Sequence, residues 1–127
     1  MKFLVGLALV ILSSGAFAQW SPLVSTDASS IYISRESIRK EGESVRMWRL
    51  MNYHAVRTTN DGKTYRSAKQ RDEYDCRQEK LRPLASVFLS GNMGEGVTVA
   101  SLSDPGNWGP VVPGSSGEAL WKVACQN

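Results

Sequence analysis

Few side chains in this 127-residue chain could do chemistry, and each lacks the partners that its chemistry requires. His54 is the sole histidine. With no thiolate or acidic companions at ligand spacing it forms no recognisable metal site, and a strand histidine satisfied by its neighbours is expected. Ser37-Ile38-Arg39-Lys40 spells the S-x-x-K string of acyl-transfer enzymes, whose serine opens a helix inside a much larger fold. Here the serine falls in a strand beside a turn, so the match reads as coincidence. Asp72 with Asp75, and Glu41 with Glu43, could be taken for acid–base pairs. Nothing around them suggests the apolar pocket that raises a general acid's pKa, so solvated or ion-paired carboxylates are expected. Gly91-Asn92-Met93-Gly94-Glu95-Gly96 has the glycines of a phosphate cradle, but such loops lead into a helix and this one leads into strand-like sequence. No catalytic residue, cofactor or metal ligand is expected, and the chain reads as a non-enzyme.

The remaining reactive pair is Cys76 and Cys125, 49 positions apart. Their redox state follows from compartment. Lys2, the apolar run Phe3–Leu12 and Ala16-Phe17-Ala18 make the three-part pattern of a secretory leader, too short to span a bilayer. Cleavage after Ala18 is expected. It leaves one domain, residues 19–127, in the periplasm, secreted or at the cell surface. Gln19 follows the site where a lipoprotein needs cysteine, so no lipid anchor is expected. Two cysteines in a small exported domain are expected to pair, and the loop they close suggests about 4 kcal/mol of stabilisation.

Alternating sequence must supply most of the scaffold. Strands are expected at Trp20–Val24, from Ile31 toward Arg39, at Val45–Val56, Tyr65–Cys76, Leu84–Ser90 and Val97–Leu102. In the longest, Trp48 and Leu50 share one face while Met47, Met51 and Tyr53 share the other, as in a central strand covered on both sides or one carrying a bulge. Asn60-Asp61-Gly62 predicts a hairpin. Pro110 and Pro113 break regular structure. Ser115-Ser116-Gly117-Glu118 then reads as a capping box opening a helix, with Leu120, Val123 and Ala124 in a stripe and Trp121 beside Cys125. The expected fold is α+β: one antiparallel sheet of about six strands with a C-terminal helix docked on one face by the disulfide. Trp48 and Trp121 are expected between sheet and helix, whereas Trp20 and Trp108 flank loops and could be buried or serve as binding anchors.

Placed in order, several stretches resemble the bacterial surface-adhesin protein E family. They are Val45-Arg46-Met47-Trp48-Arg49-Leu50 with Tyr53, Tyr65-Arg66-Ser67-Ala68-Lys69, Glu73-Tyr74-Asp75-Cys76 and Met93-Gly94-Glu95-Gly96. The tail Trp108-Gly109-Pro110-Val111-Val112-Pro113-Gly114-Ser115, then Glu118-Ala119-Leu120-Trp121 and Cys125, completes the likeness. The resemblance implies a sheet with its last helix held by a Cys76–Cys125 bond. It also implies adhesion to host matrix or plasma proteins.

Charge suggests where a partner would sit. Residues 35–82 hold thirteen Lys and Arg against eight Asp and Glu, a net of +5, and a basic middle attracts anionic surfaces. An exported chain rarely meets nucleic acid, so the expected partner is a protein or an anionic polymer, bound around Tyr65, Arg66, Lys69 and Arg71. A homodimer through a free sheet edge is open. The alternative is a periplasmic envelope factor, or an inhibitor that plugs an enzyme cleft with the loop Asn92-Met93-Gly94-Glu95.

Overall fold

Long runs of alternating residues in the middle of the chain pair into a sheet, and the shorter runs extend it on both sides. The computed structural model describes Gly6 and residues 19–126. The leader expected over residues 1–18 lies, Gly6 apart, outside the described residues. Eight strands form one antiparallel sheet: β1 (Ser21–Ser25), β2 (Ser29–Ile33), β3 (Arg39–Glu41), β4 (Ser44–Thr58), β5 (Thr64–Asp75), β6 (Lys80–Leu89), β7 (Thr98–Leu102) and β8 (Gly109–Pro110). Their order is β1-β2-β4-β5-β6-β7, with β3 beside β4 and β8 beside β6. The helix α1 spans Ser116–Cys125. Among the described residues no helix is long and apolar enough to cross a membrane.

The architecture is the expected one, but the count of about six strands is corrected to eight. The strand expected to run toward Arg39 stops at Ile33. Ser37 Oγ donates to Ser34 O at 2.7 Å, closing a 3-10 turn over Arg35–Ser37, and the chain rejoins β4 as β3. Pro110 sits in the two-residue strand β8, where an edge position needs no ladder N–H. β6 starts at Lys80 and runs through Pro83, because Pro83 lies at a register slip opposite Arg71 and Asp72.

Register sorts the side chains. On one face lie Val45, Met47, Tyr74 and Leu81, joined from β2 by Ile31 and Ile33. These close around Leu120 and Ala124 of α1, and that is the core. The helix begins as expected, with Ser115 Oγ accepting from the Glu118 N–H at 3.2 Å. The returning half of the box is displaced by one residue, since Glu118 Oε1 accepts from Gly114 N–H at 3.4 Å. At its far end Cys125 bonds to Cys76, with the Cα atoms 5.5 Å apart. Trp121, half-buried one turn before Cys125, donates its indole N–H to Asp75 O at 3.0 Å.

Beyond the core the same face turns polar. Asp72, expected to be solvated or ion-paired, is fully buried and ion-paired. Arg49 Nε lies 2.8 Å from Asp72 Oδ2, off the hydrogen-bonding direction, so that contact is ionic. Gln70 donates to Asp72 Oδ1 at 2.7 Å, the Tyr74 hydroxyl donates to Oδ2 at 3.4 Å, and Ser86 donates to Gln70 Oε1 at 3.1 Å. Removing one member of such a buried pair typically costs about 3–5 kcal/mol.

Two outcomes follow from this packing. Cys125→Ser should lower unfolding stability by about 4 kcal/mol in denaturant titration, since the 49-residue closure is lost. A variant as stable as the parent would mean that the bond does not hold the helix. Burial, with the Asp72 carboxylate alongside, raises the Tyr74 phenol well above its ordinary pKa near 10. The unfolded chain ionises first, so this contribution is complete below pH 10 and is lost as pH rises beyond it. Tyr74→Phe should therefore cost about 1 kcal/mol near neutrality yet shift the alkaline unfolding transition upward. An unmoved alkaline midpoint would contradict the assignment.

Candidate binding face

The opposite face of the sheet is built from the alternate residues, and four rows cross β4, β5 and β6. They are Arg46-Glu73-Arg82, Trp48-Arg71-Ala85, Leu50-Lys69-Val87 and Asn52-Ser67-Leu89. The first row is an ion-pair network. Glu73, almost wholly buried, holds Arg46 at 3.3 Å and Arg82 at 2.8 Å, and Arg46 also reaches Glu41 at 3.4 Å. Arg82 in turn lies 4.6 Å over the ring of Trp108, which is exposed. The last row is covered by the loop after β6. Met93 N–H donates to Asn52 Oδ1 at 2.8 Å, Gly94 N–H to Ser67 Oγ at 2.9 Å, and Ser67 Oγ to Gly91 O at 2.6 Å. Gly94 takes φ +76, a backbone conformation that residues with a side chain rarely adopt, and the Lys69 side chain packs against it.

Between these two rows the face is partly covered: Leu50 is fully buried, while Trp48, Lys69, Arg71 and Val87 are half-buried. A groove of about 380 Å³ is lined by Trp20, Trp48, Lys69, Val87, Leu89 and Thr98. Lys69 and Arg71 stand two residues apart on β5 and have no carboxylate partner among the described residues. The arrangement offers flat aromatic surface with two free cations. It can hold an anionic ligand by charge-assisted contacts and shield it with indole rings.

The structure divides the four residues expected to bind. Lys69 and Arg71 share this face with Trp48. Tyr65 instead joins an aromatic cluster, 5.6 Å from Tyr53 and 4.9 Å from Phe88. Arg57 caps that cluster 4.4 Å above Tyr53. Arg66 is exposed where β4 and β5 slip register, between Ser67 and Tyr65. Trp48, expected under the helix, is corrected to the opposite face, half-buried at the groove. Trp20 lines the same groove, a pairing across 28 positions that no local spacing in the sequence signals.

The residues suggestive of chemistry have structural duties. His54 is exposed, with Nε2 3.0 Å from Ser30 Oγ and Nδ1 3.1 Å from Asp27 O, clipping the β1–β2 turn to β4. Ser37 lies in the 3-10 turn, not in a strand, and accepts from Trp48 N–H at 2.9 Å. Asp72 and Asp75 lie on opposite faces, and Asp75 Oδ1 accepts from the N–H groups of Arg77 and Gln78. Glu41 and Glu43 bind Arg46 and Arg77. Among the described residues no group of three His, Cys, Asp or Glu is close enough to hold a metal ion. The glycine loop is a strand-to-strand connection, tied down onto the sheet.

Known proteins share this fold. The chain is similar to the solved structure of Haemophilus influenzae protein E, with TM-score 0.68 and 18% identity over 87% of this chain and 86% of that one. A second, protein E from non-typeable Haemophilus influenzae, gives TM-score 0.64 and 18% identity over 90% of this chain and 80% of that one. No curated protein sequence matches the chain. The family described as surface-adhesin protein E matches residues 20–126, nearly the whole of the described domain, and the chain belongs to that family.

Proposed function

We propose that this chain is a non-enzymatic, exported binding module of adhesin type. Its ligand is an anionic partner, either an acidic stretch of a matrix or plasma protein or an anionic polymer. The ligand seats on the sheet face opposite α1. One observation carries the reading: among the described residues Lys69 and Arg71 stand without a carboxylate partner beside Trp48 and a groove, whereas Arg46 and Arg82 in the adjoining row are ion-paired with Glu41 and Glu73. Cations without a carboxylate partner beside half-exposed aromatic rings form the local pattern that rewards an incoming anion. Export through residues 1–18 belongs to the same proposal, because the partner lies outside the cytoplasm. The plug reading of Asn92–Glu95 draws no support from geometry, since that loop is hydrogen-bonded down onto Asn52 and Ser67.

Immobilised heparin serves as the anionic probe. The double variant Lys69→Glu, Arg71→Glu should bind roughly tenfold more weakly and elute at lower salt, because exposed charge contacts are screened. Arg66→Glu, off the groove, should have a smaller effect. Unchanged elution of the double variant would remove the proposed face. An equal loss from Arg66→Glu alone would replace it with a diffuse basic surface.

A further inference from the structure

The two outer edges of the sheet are built differently. β1 carries Pro22 and a bulge between Pro22 and Val24, and α1 packs against it. Proline, bulging and cover by a helix are the devices that blunt an edge. β7 lacks the proline and the helix contact, and its one bulge, at Val99 between the pairs Leu89–Thr98 and Phe88–Ala100, leaves Ala100-Ser101-Leu102 as its regular edge. Thr98-Val99-Ala100-Ser101-Leu102 contains no charge and no proline, and among the described residues no strand lies on its outer side. Val97 and Leu102 are 67% and 63% exposed. The backbone groups of Ala100–Leu102 on that side therefore form a short, open hydrogen-bonding ladder.

The ground beside the edge is shaped as well. On the α1-bearing side two hollows share Phe88 and Leu102 as a common wall. One, of about 320 Å³, is lined further by Thr58, Tyr65 and Ala100. The other, of about 390 Å³, is lined further by Pro83, Ser86, Asp104 and Gly106. Ala100 and Leu102 are two residues apart, so the hollows follow the period of a strand. Beyond each end of β7 an exposed carboxylate, Glu95 or Asp104, has no ion pair among the described residues.

We propose that β7 accepts an extended peptide segment of a partner protein as an added strand. Alternate apolar side chains enter the two hollows, and basic residues at the segment's ends meet Glu95 and Asp104. The ladder requires a strand, the neutral edge requires an uncharged centre, and the two carboxylates select cations at its ends. A second copy of this chain fits poorly. Antiparallel pairing about Ala100 sets Gly96 opposite Asp104 and brings Glu95 of one copy beside Asp104 of the other, twice. β7 offers no cation in return.

The test uses the purified, disulfide-bonded protein and a fluorescein-labelled peptide, KVTVTVTVK, read by anisotropy. Two further peptides carry backbone N-methyl groups on alternate sets of residues. Only alternate amides of an added strand face the edge, so one methylated peptide should lose about tenfold or more in affinity while the other binds like the parent. Ala100→Lys with Leu102→Lys should weaken the parent peptide comparably. Lys69→Glu with Arg71→Glu should leave it unchanged, which separates this edge from the open face. Absence of binding by the parent peptide, or equal binding by both methylated peptides, overturns the proposal. Concentration-dependent dimerisation that Leu102→Lys abolishes would assign the edge to a second copy and overturn it too.

Discussion

The bond between Cys76 and Cys125 decides which side of the sheet becomes interior. A ten-residue helix is too short to persist alone, and its apolar stripe is narrow. Tied at its last residue to the end of β5, and capped at its first turn by Ser115, it lies over Ile31, Ile33, Val45, Met47 and Tyr74. Among the described residues no helix covers the other side. Its rows are closed at one end by the Glu73 ion-pair network and at the other by the Gly91–Gly96 loop; between them Leu50 is buried, while the groove lined by Trp20, Trp48 and Lys69 stays accessible. A one-sided cover thus turns an ordinary sheet into a body with a displayed face.

Polar groups show the same asymmetry. On the covered side the buried carboxylate of Asp72 is met by Arg49, Gln70 and Tyr74, so burial leaves it fully partnered. On the open side Lys69 and Arg71 have no counter-charge among the described residues. Stability explains the first arrangement and does not require the second. That contrast is the reason for placing recognition on the open face, in a family whose fold this chain shares at low identity.

Much of the fold was legible in the residues. The hairpin at Asn60–Gly62, the strand character of Tyr65–Cys76, the cap at Ser115 and the helix stripe all follow from local rules that the structure obeys. The place of Trp48 was not legible, and the reason is physical. Near the hairpin Thr58 faces Thr64 and Arg57 faces Tyr65, a register that, continued, sets Trp48 opposite Tyr74 on the helix side. Residues 53–56 bulge, the register shifts by an odd number of positions, and Trp48 faces Arg71 instead. An odd slip flips every side chain to the other face, and no local pattern announces it. The same slip separates Tyr65 and Arg66 from Lys69 and Arg71, so only half of the expected binding set shares the face. The short strands β3 and β8 escaped notice for a different reason. Each is defined by its partner strand rather than by its own sequence.

The central claim is that recognition occupies the face turned away from the helix. It is tested most directly by a two-dimensional amide and indole NMR titration of the isotopically labelled protein with a heparin oligosaccharide. The account predicts that the largest shifts fall on the Trp48 and Trp20 indoles and on the Lys69 and Arg71 amides, while Leu120, Ala124 and the rest of α1 stay still. Shifts centred on the helix, or on the hairpin around Asn60 with the groove unmoved, would contradict it.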